Sequence, residues 1–136
     1  MNLFAYGTLM CEEIFQSVLE HRYLHIYVTL NGYRRSPVRG QVYPALLRDE
    51  AASVEGILYL DLDDQAWTRL DHFEGAMYQR ENVEVETVTG DRLPATTYVI
   101  RPEHDELLDQ GEWSFAEFLE TGKSRFLPGD ETGDQP

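Results

Sequence analysis

The chain opens with a short apolar and aromatic run, Asn2 to Tyr6, that stops at Gly7, as a buried strand ending in a turn does. Cys11, Ile14, Phe15, Val18 and Leu19 then recur at the i, i+3, i+4, i+7, i+8 spacing of an amphipathic helix. Glu12 and Glu13 fall in its first turn, where carboxylates suit the positive end of the helix dipole. Ile26, Val28 and Leu30 alternate with polar or hydroxyl neighbours, the period of a half-buried strand, and Asn31-Gly32 marks a turn or bulge. Val38 to Tyr43 and Val54 to Leu60 read as two further strands. Pro44 and the charged run Arg48-Asp49-Glu50 lie between them as breakers of a hairpin-like pair. Asn82 to Val88 places Val83, Val85 and Thr87 on one face and Glu84 and Glu86 on the other. Ala95 to Ile100 follows across the turn Thr89-Gly90-Asp91.

Two more helices are expected, from about Asp64 to Glu74 and from Ser114 to Thr121. In the second, Ser114 and Glu117 have capping-box spacing, Phe115, Phe118 and Leu119 make an apolar face, and Gly122 can supply a left-handed C-cap. The pattern predicts a compact α+β domain over residues 1–127, with about six strands arranged as a small closed or nearly closed barrel. Residues 128–136 hold no hydrophobic anchor and read as an acidic, flexible tail.

Composition narrows the functional classes. With 136 residues, 42% hydrophobic and 26% charged, the chain is long enough to bury an apolar core. No stretch reaches the ~20 apolar residues of a membrane helix, and residues 1–20 lack a basic n-region and a cleavage site, so a cytoplasmic location is expected. The formal charge of -14 opposes nucleic-acid binding. Cys11 is the one cysteine, which rules out an intramolecular disulfide and suits a reducing compartment.

The candidate chemistry centres on Glu74. At ~100° per residue, Glu74 falls inside the arc set by Trp67, Leu70 and Phe73, so a carboxylate stands where a core residue is expected. Burial raises a carboxyl pKa toward neutrality and makes it an acid/base candidate. The bland alternative is a helix-terminal glutamate in solvent, since Gly75 follows directly. Tyr6-Gly7-Thr8-Leu9, between a strand and a helix start, can present backbone N–H groups to a carboxylate or a developing oxyanion, with Gly7 permitting close approach. The turn is not a phosphate loop, because G-x-x-x-x-G-K is absent.

These motifs, taken together, resemble a known family. Phe4 to Leu9 (FAYGTL), Gly40 to Leu46 (GQVYPAL), Val54 to Leu58 (VEGIL), Leu70 to Gly75 (LDHFEG) and Tyr78 to Arg80 (YQR) are similar, in order, to gamma-glutamylcyclotransferase-like proteins, nearest to their AIG2-like branch. Trp113, Phe115 and Phe118 resemble that branch's C-terminal aromatic pattern. The resemblance implies a small mixed, mainly antiparallel β-barrel with flanking helices and a cavity at one end. It further implies Glu74 as the catalytic residue, the Tyr6, Gly7, Thr8, Leu9 turn as the site for the glutamyl part of the substrate, and Tyr43 and Tyr78 as cavity residues. The implied reaction is attack of the α-amine of a γ-glutamyl compound on its own γ-carbonyl, releasing 5-oxoproline and an amine or amino acid, with no metal and no organic cofactor. The partner is then a small γ-glutamyl molecule, and a monomer is slightly favoured.

A second class stays open: a non-catalytic module that keeps the cavity and binds a small carboxylate or amine. The two differ in whether Glu74 faces the same cavity as the turn. Elsewhere, Cys11 reads as core rather than nucleophile. His21 and His25 are four apart but lack a third ligand. Asp61, Asp63 and Asp64 read as a helix cap rather than a cation site. Asp71, one turn before Glu74, is either a solvated residue or half of a carboxylate pair. Tyr59, like Tyr43 and Tyr78, lines a cavity or fills the barrel.

Overall fold

The computed structural model describes residues 1–109 and 111–126, so the acidic tail expected at 128–136 lies outside the described residues. The elements are β1 (Leu3–Ala5), α1 (Glu12–Leu19), β2 (His25–Pro37), β3 (Pro44–Tyr59), α2 (Asp64–Glu74), β4 (Tyr78–Thr87), β5 (Arg92–Ile100) and α3 (Phe115–Thr121). Short 3-10 turns stand at Thr8–Met10, Pro102–Leu107 and Lys123–Phe126. The strands close a barrel in the order β1-β3-β2-β4-β5. Every adjacent pair is antiparallel except β1 with β5, a parallel contact at Leu3 and Thr96 that completes the closure. This is the mixed, mainly antiparallel barrel with flanking helices.

The barrel has five strands rather than about six, and the difference lies in one hairpin. Asn31-Gly32 is a bulge, one of the two outcomes expected there, and β2 continues through it to Pro37, while β3 starts at Pro44 and runs through the charged segment. Val38 to Tyr43 forms the connecting turn instead of a strand, with only an isolated bridge from Val38 to Leu108. Pro44 is tolerated because it begins its strand opposite Pro37, where neither residue has an N–H to donate. Arg48-Asp49-Glu50 does not break pairing either. The register shifts between Asn31 and Tyr33, where Asp49 to Ala52 bulge opposite Gly32 at φ +87, and the charged side chains fan into solvent.

Helix boundaries follow the capping chemistry. Asp63 accepts from the Ala66 N–H at 2.9 Å and Ser114 from the Glu117 N–H at 3.2 Å, each satisfying a donor that the first helical turn leaves free. The end of α3 differs from expectation: Gly122 has φ -115 and is not left-handed. Its missing side chain serves packing, since a Cβ there would stand 2.8 Å from Val42 and 2.9 Å from Phe118. Glu20, at φ 56, makes the left-handed C-cap of α1.

Alternation along β1 divides the core. Phe4 and Tyr6 join Val28, Leu30, Leu46, Leu58 and Val85 in a cluster built from strand and turn side chains, the barrel interior. Leu3 and Ala5 face the other way, against Ile14 and Phe15 of α1 and Trp67 and Leu70 of α2. Burying Ile14, Phe15 and Leu19 contributes about 1.5–3 kcal/mol each, which holds α1 on the barrel. Gly56 lets the end of β1 lie close against β3, because a Cβ there would meet the Ala5 carbonyl oxygen at 2.4 Å. Among the described residues, no helix is long and apolar enough to cross a membrane.

Candidate active site

The end of β1, the turn after it and the end of α2 converge on a cavity of about 160 Å³. That matches, to order of magnitude, the ~150 Å³ space that accommodates a benzene-sized ligand. Its walls include Tyr6, Gly7, Thr8 and Leu9 from the turn, Tyr43 and Pro44 from the β2–β3 connection, Glu74 from α2 and Tyr78 from β4. Glu74, the four turn residues, Tyr43 and Tyr78, the residues that the family resemblance implies for the site, therefore line one space.

Among the described residues, Glu74 is the one charged residue of that lining. It ends α2 on the face that carries Trp67 and Leu70, and Gly75 at φ +82 turns the chain away immediately after it. Glu74 has neither a hydrogen-bond nor an ion-pair partner among the described residues. Burial, and secondarily the negative charge of Asp71, push its carboxyl from an ordinary 4.5 up to about 8. The side chain keeps partial accessibility through the cavity although protein surrounds it. A carboxyl with that affinity for protons exchanges them near neutral pH, which is what an acid/base needs.

Asp71, one turn earlier, is neither free in solvent nor half of a carboxylate dyad. Arg80 grips it bidentately at 2.9 and 2.7 Å, and the Tyr98 hydroxyl donates to it at 2.6 Å. Those contacts, Arg80 first, hold its pKa below the usual carboxylate value, so it stays ionised. The Arg80 guanidinium also lies 5.0 Å from the Trp67 ring centre. This clasp joins the last turns of α2 to β4 and β5 and thereby positions Glu74.

The opposite wall offers hydrogen-bond donors. The turn's four carbonyls are all occupied. Arg35 donates to Tyr6 O at 2.7 Å, the Met10 N–H to Gly7 O at 2.9 Å, the Cys11 N–H to Thr8 O at 3.2 Å and the Tyr59 hydroxyl to Leu9 O at 2.8 Å. The N–H groups of Gly7, Thr8 and Leu9 have no acceptor among the described residues. Buried N–H groups without partners are rare and are expected where a ligand supplies the acceptor. Gly7 is required for a reason the sequence did not suggest: a Cβ on it would stand 2.8 Å from the Pro44 ring. The close neighbour is the protein's own proline.

Tyr6, Tyr43 and Tyr78 surround the carboxyl. Burial, with the nearby Glu74 charge contributing, raises the pKa of each, so all three remain neutral phenols. Tyr6 donates to the Tyr98 carbonyl at 2.7 Å and Tyr78 to the Pro44 carbonyl at 3.0 Å. Tyr59 is core instead: it stacks on Phe15 with ring centres 3.6 Å apart. The sequence reading missed Phe73, Met77, Tyr98 and Phe126 as lining residues. For Phe73 a signal existed, its place in the arc around Glu74. Phe126 carried none, because it reaches the cavity from the C-terminal segment.

The rival sites dissolve into structure. Cys11 is buried in the core. His21 and His25 do not share a helix: α1 ends at Leu19, and His25 starts β2 and pairs with Glu12 at 3.2 Å. Asp63 is a helix cap. Among the described residues no group of three or more His, Cys, Asp or Glu is placed to hold a metal ion.

Known proteins share this chain's sequence pattern and fold. The sequence model of the family described as gamma-glutamyl cyclotransferase, AIG2-like, matches residues 3–115. AIG2-like protein C of Arabidopsis thaliana is 35% identical over 127 residues, covering 93% of this chain and 73% of that one. A solution structure of an Arabidopsis thaliana protein superposes with a TM-score of 0.73 at 25% identity, over 92% of this chain and 84% of that one. A solved gamma-glutamyl cyclotransferase shares the fold with a TM-score of 0.68 at 16% identity, over 78% of this chain and 74% of its own.

Proposed function

The chain belongs to the AIG2-like gamma-glutamyl cyclotransferase family, and on that premise we propose that it is a working γ-glutamyl cyclotransferase with Glu74 as its acid/base residue. The observation that carries this reading is the pairing, across one small cavity, of an unpartnered carboxyl pushed up to about 8 with a turn whose N–H groups lack acceptors. An unpaired carboxyl whose pKa lies near neutrality costs stability wherever it ionises, and proton transfer is a use that calls for such a value.

In the proposed reaction the N–H groups of Gly7, Thr8 and Leu9 hold the substrate's anionic oxygens, and ionised Glu74 removes a proton from the α-ammonium. The freed amine attacks the γ-carbonyl carbon, forming the lactam C–N bond. The tetrahedral oxyanion collapses, the original amide C–N bond breaks, and Glu74 returns the proton to the leaving nitrogen. The α-nitrogen loses two protons in all and the released amine gains two at neutral pH, so no water is consumed. Because nucleophile and carbonyl belong to one molecule, the protein's task is to fold the chain of the substrate and stabilise charge.

The test is 5-oxoproline release from a panel of γ-glutamyl amino acids, amines and γ-glutamyl-ε-lysine. Wild type should release product, and Glu74→Gln should lose ~10²–10⁴-fold, the usual weight of a general acid/base. Inactivity of the wild-type protein on every compound would sink the enzyme reading and leave ligand binding as the function.

A further inference from the structure

The direction of each N–H group in the turn is set by the carbonyl across its own peptide plane, because a trans peptide points N–H and C=O opposite ways. The turn fixes two of these planes itself. The Met10 N–H on Gly7 O orients the Thr8 N–H, and the Cys11 N–H on Thr8 O orients the Leu9 N–H. The first plane, Tyr6 to Gly7, is held by a side chain instead, the Arg35 guanidinium on Tyr6 O at 2.7 Å. Arg35 stands opposite Leu46 in the β2–β3 ladder and two residues after Tyr33, on the face that both give to the barrel-interior cluster.

The guanidinium is half-buried, and among the described residues no carboxylate lies within ion-pair reach of it. Burial pulls its pKa down, and Glu112 and Glu55 offset that only from a distance. Its other contacts are soft: the Met10 sulfur at 3.8 Å and the Trp113 ring, whose centre is 5.2 Å from the guanidinium carbon. Trp113 is itself fixed, since its indole N–H donates to Val42 O at 2.8 Å, beside Tyr43 of the cavity wall, and its ring lies 5.5 Å from Phe118. A half-buried cation without a counter-ion is costly to the fold. What the charge supplies lies across the peptide: a charged donor on Tyr6 O polarises that plane and strengthens the Gly7 N–H toward an anion. Arg35 stands outside the cavity wall, so its action on a ligand passes through the peptide. We propose that Arg35, clamped between the Trp113 ring and the Tyr6 carbonyl, is a positioning residue that aims and polarises the Gly7 N–H for an anionic ligand oxygen. The inference rests on reading the turn as an anion cradle and adds the group that sets it from behind.

Arg35→Met keeps the length of the side chain and removes its charge and its donors. In ¹H–¹⁵N NMR the Gly7 amide proton should move upfield by more than those of Thr8 and Leu9, a selectivity that general loosening of the turn does not produce. On a γ-glutamyl compound that wild type cleaves, kcat/KM should fall ~10–10²-fold, short of the ~10²–10³-fold that outright loss of an oxyanion-hole donor costs. The rising limb of the pH profile should stay in place, because burial and Asp71, not Arg35, shift Glu74. Arg35→Lys, which keeps a charged donor, should recover at least ~3-fold of the loss. If Arg35→Met fails to fold, Trp113→Leu, which unclamps the guanidinium, should move the same amide in the same direction and lower kcat/KM ~3–10-fold. An unmoved Gly7 amide in the folded variant, turnover within ~2-fold of wild type, or a displaced pH limb overturns the inference. If wild type cleaves nothing but binds 5-oxoproline at the Gly7 amide, and Arg35→Met weakens that binding at least ~10-fold, Arg35 keeps its role and the cyclotransferase reading falls. Absence of both binding and turnover in wild type removes both.

Discussion

The cavity at the end of β1 and a groove between β2 and β4 differ less in size than in how their polar groups are partnered. The groove is the larger, about 290 Å³ against about 160 Å³, and is lined by Leu30, Asn31, Tyr33, Val83, Glu84, Val85, Glu86 and Arg92. It exists because β2 and β4 pair only at Val28–Thr87 and Thr29–Glu86 before they splay apart. Its polar groups satisfy one another: Asn31 donates to Glu86 at 3.2 Å, Arg92 pairs with Glu84 at 3.3 Å and the Tyr33 hydroxyl bonds to Glu81. The cavity holds the opposite inventory, an unpaired carboxyl facing N–H groups without acceptors. Volume marks where strands separate; unmet hydrogen-bonding capacity marks where a ligand belongs.

The largest test of this contrast is the pH dependence of stability through Glu74. Its pKa is raised from 4.5 to about 8 in the fold, so between those values the folded protein binds more protons than the unfolded chain. The stability linked to this group is therefore fully present below about 4.5 and is lost as pH rises through about 8. At 1.36 kcal/mol per unit, the full loss is on the order of 3–5 kcal/mol. Glu74→Gln, which has no proton to lose, should melt at a higher temperature than wild type at pH 9, with the gap closing toward pH 5. In the same window, wild-type kcat/KM should climb about 10-fold per pH unit until the carboxyl ionises near pH 8. A melting difference between the variant and wild type that does not change from pH 5 to pH 9 would show that Glu74 titrates as an ordinary exposed carboxylate.

How much of this was legible in the sequence depends on the range of the interaction. The α2 helix, its Asp63 cap and the inward angle of Glu74 follow from local spacing, and the family motifs supplied the turn and the cavity tyrosines. The fate of Asp71 was not legible, because its partners Arg80 and Tyr98 arrive from β4 and β5, nine and twenty-seven residues later. Pro44 and Arg48-Asp49-Glu50 misled for a related reason: a breaker ends a strand only where its missing hydrogen bond or its charge has nowhere to go. Here a facing Pro37 and a bulge opposite Gly32 absorb both. Phe126 joined the cavity through packing on Tyr43, Phe73 and Phe118, contacts across which no sequence period runs.

A smaller effect sharpens the cavity side. Asp71→Asn removes the fixed charge next to Glu74 and leaves Arg80 without its partner, and both changes favour ionised Glu74. The Glu74 midpoint, followed by carboxyl ¹³C NMR, should move down, and the rising limb of kcat/KM should shift to lower pH with it. The shift should be the lesser part of the total elevation, since burial is its larger cause. Loss of the half-exposed bidentate pair should cost about 0.5–1 kcal/mol and less at high salt. An unchanged or rising midpoint would remove Asp71 from the account of Glu74.

The smallest effect belongs to the groove, and its smallness is the point. Glu86 accepts from Asn31 in an exposed setting, so Glu86→Gln exchanges one solvated acceptor for another. Stability should change by less than about 0.5 kcal/mol, and 5-oxoproline release should stay within about 2-fold of wild type. Urea denaturation and the cyclotransferase assay measure these directly. If turnover fell 10-fold while stability held, the groove would have to couple to the cavity through the barrel interior, where Tyr33 and Val85 share a cluster with Tyr6 of the turn. Those residues pack in a cluster of strand and turn side chains, which offers no second arrangement through which such coupling could act.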